Sequence, residues 1–322
     1  MKAVVHDKFG SPDVVEIREV DKPETAADEV LVRVRAASLN RFDWYGVTGR
    51  PWVGRVQMGL LKPKDNEVGA DFAGTIEAVG NDVTEFQPGD DVFGRTGALA
   101  EYVSIPEGTV VSKPENVTFE QAATVRVAGL TALQGLRDHG RLQPGQSVLV
   151  NGASGGVGTF AVQVAKALGA AEVTGVCSTR NVELVRSLGA DHVVDYTRED
   201  FTRNDRRYDV LLDVAGSRSW FAYRRVLKPE ATLVLVGGPA RNRMLGPLGH
   251  IAKVRLAAFR SSQKVVFFIT KPNKADLVVL RDLLESGKVK PAIERRYELD
   301  ETADALRYIG EGHVQSKLVI AV

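Results

Sequence analysis

The segment from Val148 to Gly158, Val-Leu-Val-Asn-Gly-Ala-Ser-Gly-Gly-Val-Gly, constrains this chain more than any other stretch. An apolar run enters a glycine-rich turn, and Ala161, Val162, Ala165 and Leu168 follow at helical spacing. Ala153, Gly155 and Gly158 occupy the three positions of a GxGxxG fingerprint, with alanine in the first. Lacking a β-carbon, Gly155 and Gly156 let backbone amides approach a pyrophosphate, and Gly158 lets the helix lie close on its strand. The helix N-terminus adds partial positive charge. A second strand, Glu172 to Cys177, follows Gly169 and completes a βαβ unit. The turn is therefore expected to hold a dinucleotide through Ser154, Gly155, Gly156 and Val157.

The end of that second strand bears on which dinucleotide. An NAD site places an acid about 20 residues beyond the fingerprint to accept hydrogen bonds from the ribose hydroxyls. Here the strand ends Cys177-Ser178-Thr179-Arg180, with no acid. Ser178 is suited to donate to a 2′-phosphate and Arg180 to pair with it, which favours NADP(H); the alternative for Arg180 is a solvated arginine.

A chain of 322 residues exceeds the usual size of one core, so two domains are expected. A net charge of +1 gives no overall reason to seek nucleic acid or an anionic membrane. The lone Cys177 excludes an internal disulfide and a multi-cysteine zinc site, which points to a reducing, cytoplasmic setting. The charged start, Met1 to Lys8, lacks the apolar core of a signal peptide.

Short β-branched segments broken by glycine, proline and acidic turns fill the first third: Val14–Val20, Val30–Ala37, Ala73–Val79, Asp91–Phe93 and Ala100–Ile105. Thr118-Phe119-Glu120-Gln121 reads as a capping box opening a helix. Strands and helices then alternate to about Val236, the pattern of a doubly wound parallel sheet. The fold class is therefore α/β. Helices are expected at Lys274–Ser286 and Asp300–Gly310, with a closing strand at Leu318–Ala321. From Gly237 to Lys264 the basic residues Arg241, Arg243, His250, Lys253, Arg255, Arg260 and Lys264 suggest an amphipathic cover with a solvated basic face; a cationic rim for an anionic substrate, or a guide for nucleic acid, is the other reading. His139 and His313 lack catalytic spacing and are expected at the surface.

Six blocks resemble the medium-chain dehydrogenase/reductase superfamily, in its zinc-free quinone oxidoreductase-like branch. They are Asn40-Arg41-Phe42-Asp43, Gly69 to Gly74, Ala128 to Ala132, Gly152 to Gly158, Leu188 to Asp191 and Gly287 to Pro291. The resemblance implies a GroES-like β-rich catalytic domain (residues 1–122 and 264–322) around a Rossmann NADP-binding domain (123–263), with the active site in the cleft between them. It also implies where zinc-dependent members bind metal. Asn40 stands for a cysteine, Ala70 for a histidine and Val127 for the third ligand, so no metal is expected.

Without a metal, reduction of electron-poor acceptors, quinones or α,β-unsaturated carbonyls, fits better than oxidation of an alcohol. By resemblance Asn40, Asp43, Tyr45 and Thr131 line the reacting centre, with Phe267 and Phe268 as an aromatic wall. Tyr45 either hydrogen-bonds or protonates the substrate, or is an aromatic stabilising its loop. Thr131, Tyr196, Val214, Val236, Gly237, Phe267, Phe268 and Lys317 are carried over as cofactor contacts, although Ser316 replaces the glycine that precedes this lysine in the family. A homodimer paired through the Lys264–Ile269 strand is the expected assembly. The competing functions are an NADP-dependent aldehyde or ketone reductase and a non-catalytic NADPH- or RNA-binding protein.

Overall fold

The computed structural model describes residues 1–95, 99–216, 218–238 and 244–322. Its first segment carries β1 (Lys2–Val5), β2 (Glu16–Glu19), β3 (Glu29–Leu39), α1 (Arg41–Thr48), α2 (Arg55–Met58), β4 (Asp71–Val79), β5 (Asp91–Arg95), β6 (Leu99–Ala100), β7 (Tyr102–Pro106) and β8 (Val110–Ser112). The longest strand, β3, shows the alternation that a half-buried strand requires: Val32 and Val34 are buried, while Arg33 and Arg35 face outward. The expected capping box opens α3 (Phe119–Ala122): the Gln121 amide donates to Thr118 Oγ1 at 3.2 Å, and the Thr118 amide donates to Gln121 Oε1 at 3.1 Å.

The chain then alternates through α4 (Arg126–Gln134), β9 (Ser147–Asn151), α5 (Gly156–Ala167), β10 (Glu172–Cys177), α6 (Val182–Ser187), β11 (His192–Asp195), β12 (Tyr208–Asp213), α7 (Trp220–Arg224), β13 (Leu227–Leu235), α8 (Leu248–Ala257) and β14 (Lys264–Phe267). The six strands β9 to β14 form one parallel sheet in the order β11-β10-β9-β12-β13-β14. This is the doubly wound order in which the chain reverses direction across the sheet between its first and fourth strands. Its core packs Leu149, Val176, Leu211, Leu233 and Trp220 together with Ile251 and Val254 of α8. That placement makes α8 a cover over the sheet, as expected of its segment; Arg241 and Arg243 lie outside the described residues.

The last segment, α9 (Lys274–Glu285), β15 (Ile293–Glu298), α10 (Thr302–Glu311) and β16 (Lys317–Ala321), returns to the first. There β16 pairs antiparallel with β3, placing Leu318 opposite Leu39, in a seven-stranded sheet that also holds β4, β5, β7, β8 and β15. One apolar core of this unit joins Val32, Phe72, Ile76 and Val92 to Leu306, Ile309 and Leu318.

The chain divides into two compact units: Met1–Val127 with Pro272–Gly287 and Pro291–Val322, and Ala128–Lys271 with Lys288–Lys290. The second boundary thus falls eight residues later than the expected 264. The reason is hydrogen bonding, because β14 pairs along its length with β13 and so belongs to the parallel sheet. Among the described residues no helix is long and apolar enough to cross a membrane.

Candidate active site

In the parallel-sheet unit the glycines divide their work as the fingerprint requires. A β-carbon on Gly158 would lie 2.1 Å from the Gly152 carbonyl oxygen, so only glycine lets α5 start this close to β9. A β-carbon on Gly155 would meet nothing nearer than that same oxygen at 3.5 Å. Gly155 is the N-cap of α5, so the space in front of it receives the unpaired amides of the first helical turn.

Ser154 and Ser178 are brought together by a residue that sequence reasoning missed. The Asn181 amide donates to Ser154 Oγ at 2.8 Å and to Ser178 Oγ at 3.3 Å, while its own Oδ1 is buried without a partner. An orphaned acceptor beside two hydroxyls and an open glycine edge suits a polar ligand that supplies the missing donor. Arg180 is exposed next to this group, and Tyr196 stands 55% exposed at the end of β11.

Asp195, in register with Cys177, is the acid nearest in the sheet to the end of β10. It accepts from Thr179 Oγ1 at 2.5 Å and from the Thr197 hydroxyl and amide, and the Arg198 guanidinium lies 3.4 Å away. The Thr179 hydrogen bond is the main cause holding this carboxyl below the usual aspartate range. Its acceptor positions are therefore already used within the chain.

At the point where the strand order reverses, Asn151 ends β9 and Asp213 ends β12. Asp213 is fully buried and accepts from Asn151 Nδ2 at 2.8 Å, the Gly216 amide at 2.9 Å and the Tyr223 hydroxyl at 2.5 Å. Those bonds fix the adjoining Val214–Gly216 turn. A β-carbon on Gly237 would lie 2.4 Å from the Val214 carbonyl oxygen, so the expected contacts Val214, Val236 and Gly237 form one continuous strand-end edge. Thr131, on α4, shares a 2.8 Å hydrogen bond with Thr270. Phe267 packs on the sheet core, and Phe268 stacks on His139 at 4.3 Å between ring centres. His139 is thus half-buried against an aromatic ring, a correction to its expected surface role, whereas His313 is exposed.

The β-rich unit gathers the remaining candidates into a buried polar wall. Asn40 precedes α1; its Nδ2 donates to Asp71 Oδ2 at 3.1 Å, and its Oδ1 accepts from the Lys317 ammonium at 2.5 Å. Asp71 also accepts from the Val127 amide at 3.1 Å, with the Lys317 ammonium 3.9 Å and the Arg126 guanidinium 3.6 Å away. Of the positions that the resemblance assigns to metal ligands, 40 and 127 are therefore tied together by the Asp71 carboxylate, and the Ala70 carbonyl accepts from the Arg126 guanidinium at 3.4 Å. Burial pushes the Asp71 carboxyl up and the Lys317 ammonium down, and each charge opposes the other's shift.

Asp43 accepts from the Asn40 backbone amide at 2.6 Å, capping α1, and burial raises its pKa to about 6. Tyr45 sits one turn into α1, half-buried, edge-on to Trp44 at 5.6 Å; burial raises its hydroxyl above the usual tyrosine range. Lys317 lies buried at the start of β16, and Ser316 before it takes φ of 57°. The serine takes a left-handed backbone that a glycine would adopt at lower cost.

Two families match the sequence: "Alcohol dehydrogenase GroES-like domain" over residues 26–115 and "Zinc-binding dehydrogenase" over residues 188–320. A quinone oxidoreductase of Pseudomonas aeruginosa is 33% identical over 94% of each chain. The NADPH-dependent alkenal/one oxidoreductase of Arabidopsis thaliana chloroplasts is 32% identical over 99% of this chain and 79% of its own. The solved quinone oxidoreductase of Coxiella burnetii superposes with a TM-score of 0.86 at 30% identity, covering 100% of this chain and 99% of that one. The chain belongs to the medium-chain dehydrogenase/reductase superfamily, in its quinone oxidoreductase-like branch. Its units are accordingly a GroES-like β-rich domain and a Rossmann domain.

The zinc in one family's description is tested by the donors in this wall. An amide, an alanine and a valine stand at the ligand positions, and the Lys317 ammonium engages the amide oxygen and faces the Asp71 carboxylate. A cation repels Zn²⁺, so the donor set does not fit the metal. By contrast the open Gly155 edge and the Ser154 and Ser178 hydroxyls fit a dinucleotide phosphate, and the unpartnered Asn181 Oδ1 fits a donor such as a ribose hydroxyl. The roles of Arg126 and Asn181 are not legible in the sequence because tertiary contacts set their partners; Asp71 and Asp213 lie in recognised segments, and only their partners are hidden.

Proposed function

We propose that this protein is a metal-independent, NADPH-dependent reductase of quinones and α,β-unsaturated carbonyl compounds. The observation that carries the reading is the Lys317 ammonium on Asn40 and Asp71, where a metal-dependent relative needs ligands. Without a Lewis acid, a substrate must already be electrophilic at carbon, as quinones and enones are. Bound NADPH supplies the hydride. Ser154, Gly155, Gly156, Val157 and Ser178 would hold the phosphates, Asn181 a ribose hydroxyl, Arg180 and Tyr196 the adenosine 2′-phosphate, and Val214, Val236 and Gly237 the nicotinamide half. Thr131, Phe267, Phe268 and Lys317 remain as further cofactor contacts carried over from the family. Asn40 and Asp43 fix the start of α1 and with it Tyr45, whose raised pKa makes it a hydrogen-bond donor to a carbonyl oxygen sooner than a proton source. The names of the relatives from Pseudomonas aeruginosa and Arabidopsis thaliana support this acceptor class.

We also infer a homodimer through β14, the edge strand of the parallel sheet, and a reducing cytoplasmic setting, supported by the single cysteine, Cys177, which is a free and buried thiol. The deciding experiment measures NADPH oxidation with a quinone, an enone and a saturated aldehyde side by side. Turnover of the first two with little on the third is expected. Preference for the aldehyde would make the protein a carbonyl reductase, and turnover of none would leave a binding protein.

A further inference from the structure

A cavity of about 360 Å³ opens in the Rossmann unit between α7 and α8. Arg218, His250 and Lys253 stand on its lining, and Trp220, Phe221 and Val254 give it apolar walls. His250 Nε2 is buried without a hydrogen-bond partner, and so is Arg218 Nε. A buried ring nitrogen left unpaired on a cavity is costly unless a ligand completes it, and it donates in the tautomer that carries its proton there. Asp213 spends its carboxylate on Asn151, Gly216 and Tyr223, and Asp200 Oδ1 forms an ion pair with Arg218 Nε at 3.5 Å, outside hydrogen-bond geometry. Lys253 makes no ion pair among the described residues, and the sequence from Ala231 to Ala275 contains no aspartate or glutamate. The potential at this cavity is therefore positive, in a chain whose net charge is only +1.

We propose that this cavity is a binding site for a small organic anion, a carboxylate or phosphate monoester on an apolar body. The head takes hydrogen bonds from His250 Nε2 and Arg218 and faces the Lys253 ammonium, while the body lies against Trp220, Phe221 and Val254. A bare inorganic ion satisfies the cations and leaves the apolar walls wet. A neutral alkyl chain covers the walls and leaves His250 Nε2 unpaired and the Lys253 charge unanswered. Only a ligand with both parts completes the site.

The test is calorimetric titration of the full-length protein with hexyl phosphate, hexanoate, hexanol and inorganic phosphate. One equivalent of hexyl phosphate or hexanoate is expected to bind, at least tenfold tighter than hexanol or phosphate, and the better of the two identifies the head group. Lys253→Glu and Arg218→Gln should each weaken that binding about tenfold or more; Lys253 is exposed, so its variant leaves the fold intact. NADPH affinity, measured in the same variants, should not change, which keeps this outcome separate from the cofactor reading. Equal binding of hexanol, binding unaffected by both substitutions, or stoichiometric displacement of the probe by NADPH would each overturn the proposal.

Discussion

Asp43, Asp71, Arg126 and Lys317 place two carboxylates and two cations in one buried wall of the GroES-like domain. Desolvating four charges is expensive, and mutual pairing offsets it only where hydrogen bonds complete the geometry. Asp71 has such bonds, from Asn40 and Val127, whereas Asp43 has the Asn40 amide and no adjoining ammonium within ion-pair distance among the described residues. A carboxyl at about 6 in the folded protein, above its unfolded value of 3.8, binds more protons when folded. Stability from this group is therefore present at low pH and lost as pH rises from about 4 to about 6. Asp43→Asn, compared with wild type by denaturant unfolding, should gain about 2–3 kcal/mol in relative stability between pH 4 and pH 7. A difference that stays flat across that window would show that Asp43 is ionised at little cost. At the cofactor end, Arg180→Ala should weaken NADPH more than NADH by about 1–3 kcal/mol, since only NADPH carries the 2′-phosphate. Equal losses in fluorescence titrations would assign Arg180 to solvent.

The β9–turn–α5 element separates folding from binding within four residues. A methyl at Gly158 collides with the Gly152 carbonyl, so Gly158→Ala should cost roughly 1–3 kcal/mol of stability. A methyl at Gly155 meets open space, so Gly155→Ala should leave stability within about 0.5 kcal/mol and yet weaken NADPH tenfold or more by standing where the phosphate approaches. Melting temperatures and NADPH titrations on both variants check this pair, and the reverse pattern would falsify the assignment of the turn. Other elements differ in how far their sequence announces them. The capping box names α3 because its hydrogen bonds lie within one turn. By contrast α8 buries Ile251 and Val254 yet leaves Leu256 80% exposed, so its pattern lacks one clear apolar face. Strand β15 is mostly exposed at a sheet edge and carries Glu294, Arg295 and Arg296, which hide its period.

For the whole molecule, the unpaired side of β14 is the consequence with a direct assay. Its Val265 and Val266 are only partly buried in the single chain, and an uncovered β-branched edge favours pairing with a second copy. Light scattering at micromolar concentration should return twice the 34.9 kDa chain mass, and Val266→Pro should shift it toward the monomer. Exhaustive chelation should leave quinone turnover intact; stoichiometric zinc lost together with activity would refute metal independence. The sequence by itself determined the doubly wound unit, its phosphate turn and the departure from metal-ligand residue types, because each rests on local spacing and residue chemistry. Only the tertiary structure decided that Lys317 meets Asn40, that Asn181 joins Ser154 to Ser178, that Asp213 locks the strand ends and that β14 belongs to the parallel sheet. Such contacts join residues as much as 277 positions apart, and no period or propensity along a chain encodes which distant side chain will close a buried hydrogen bond.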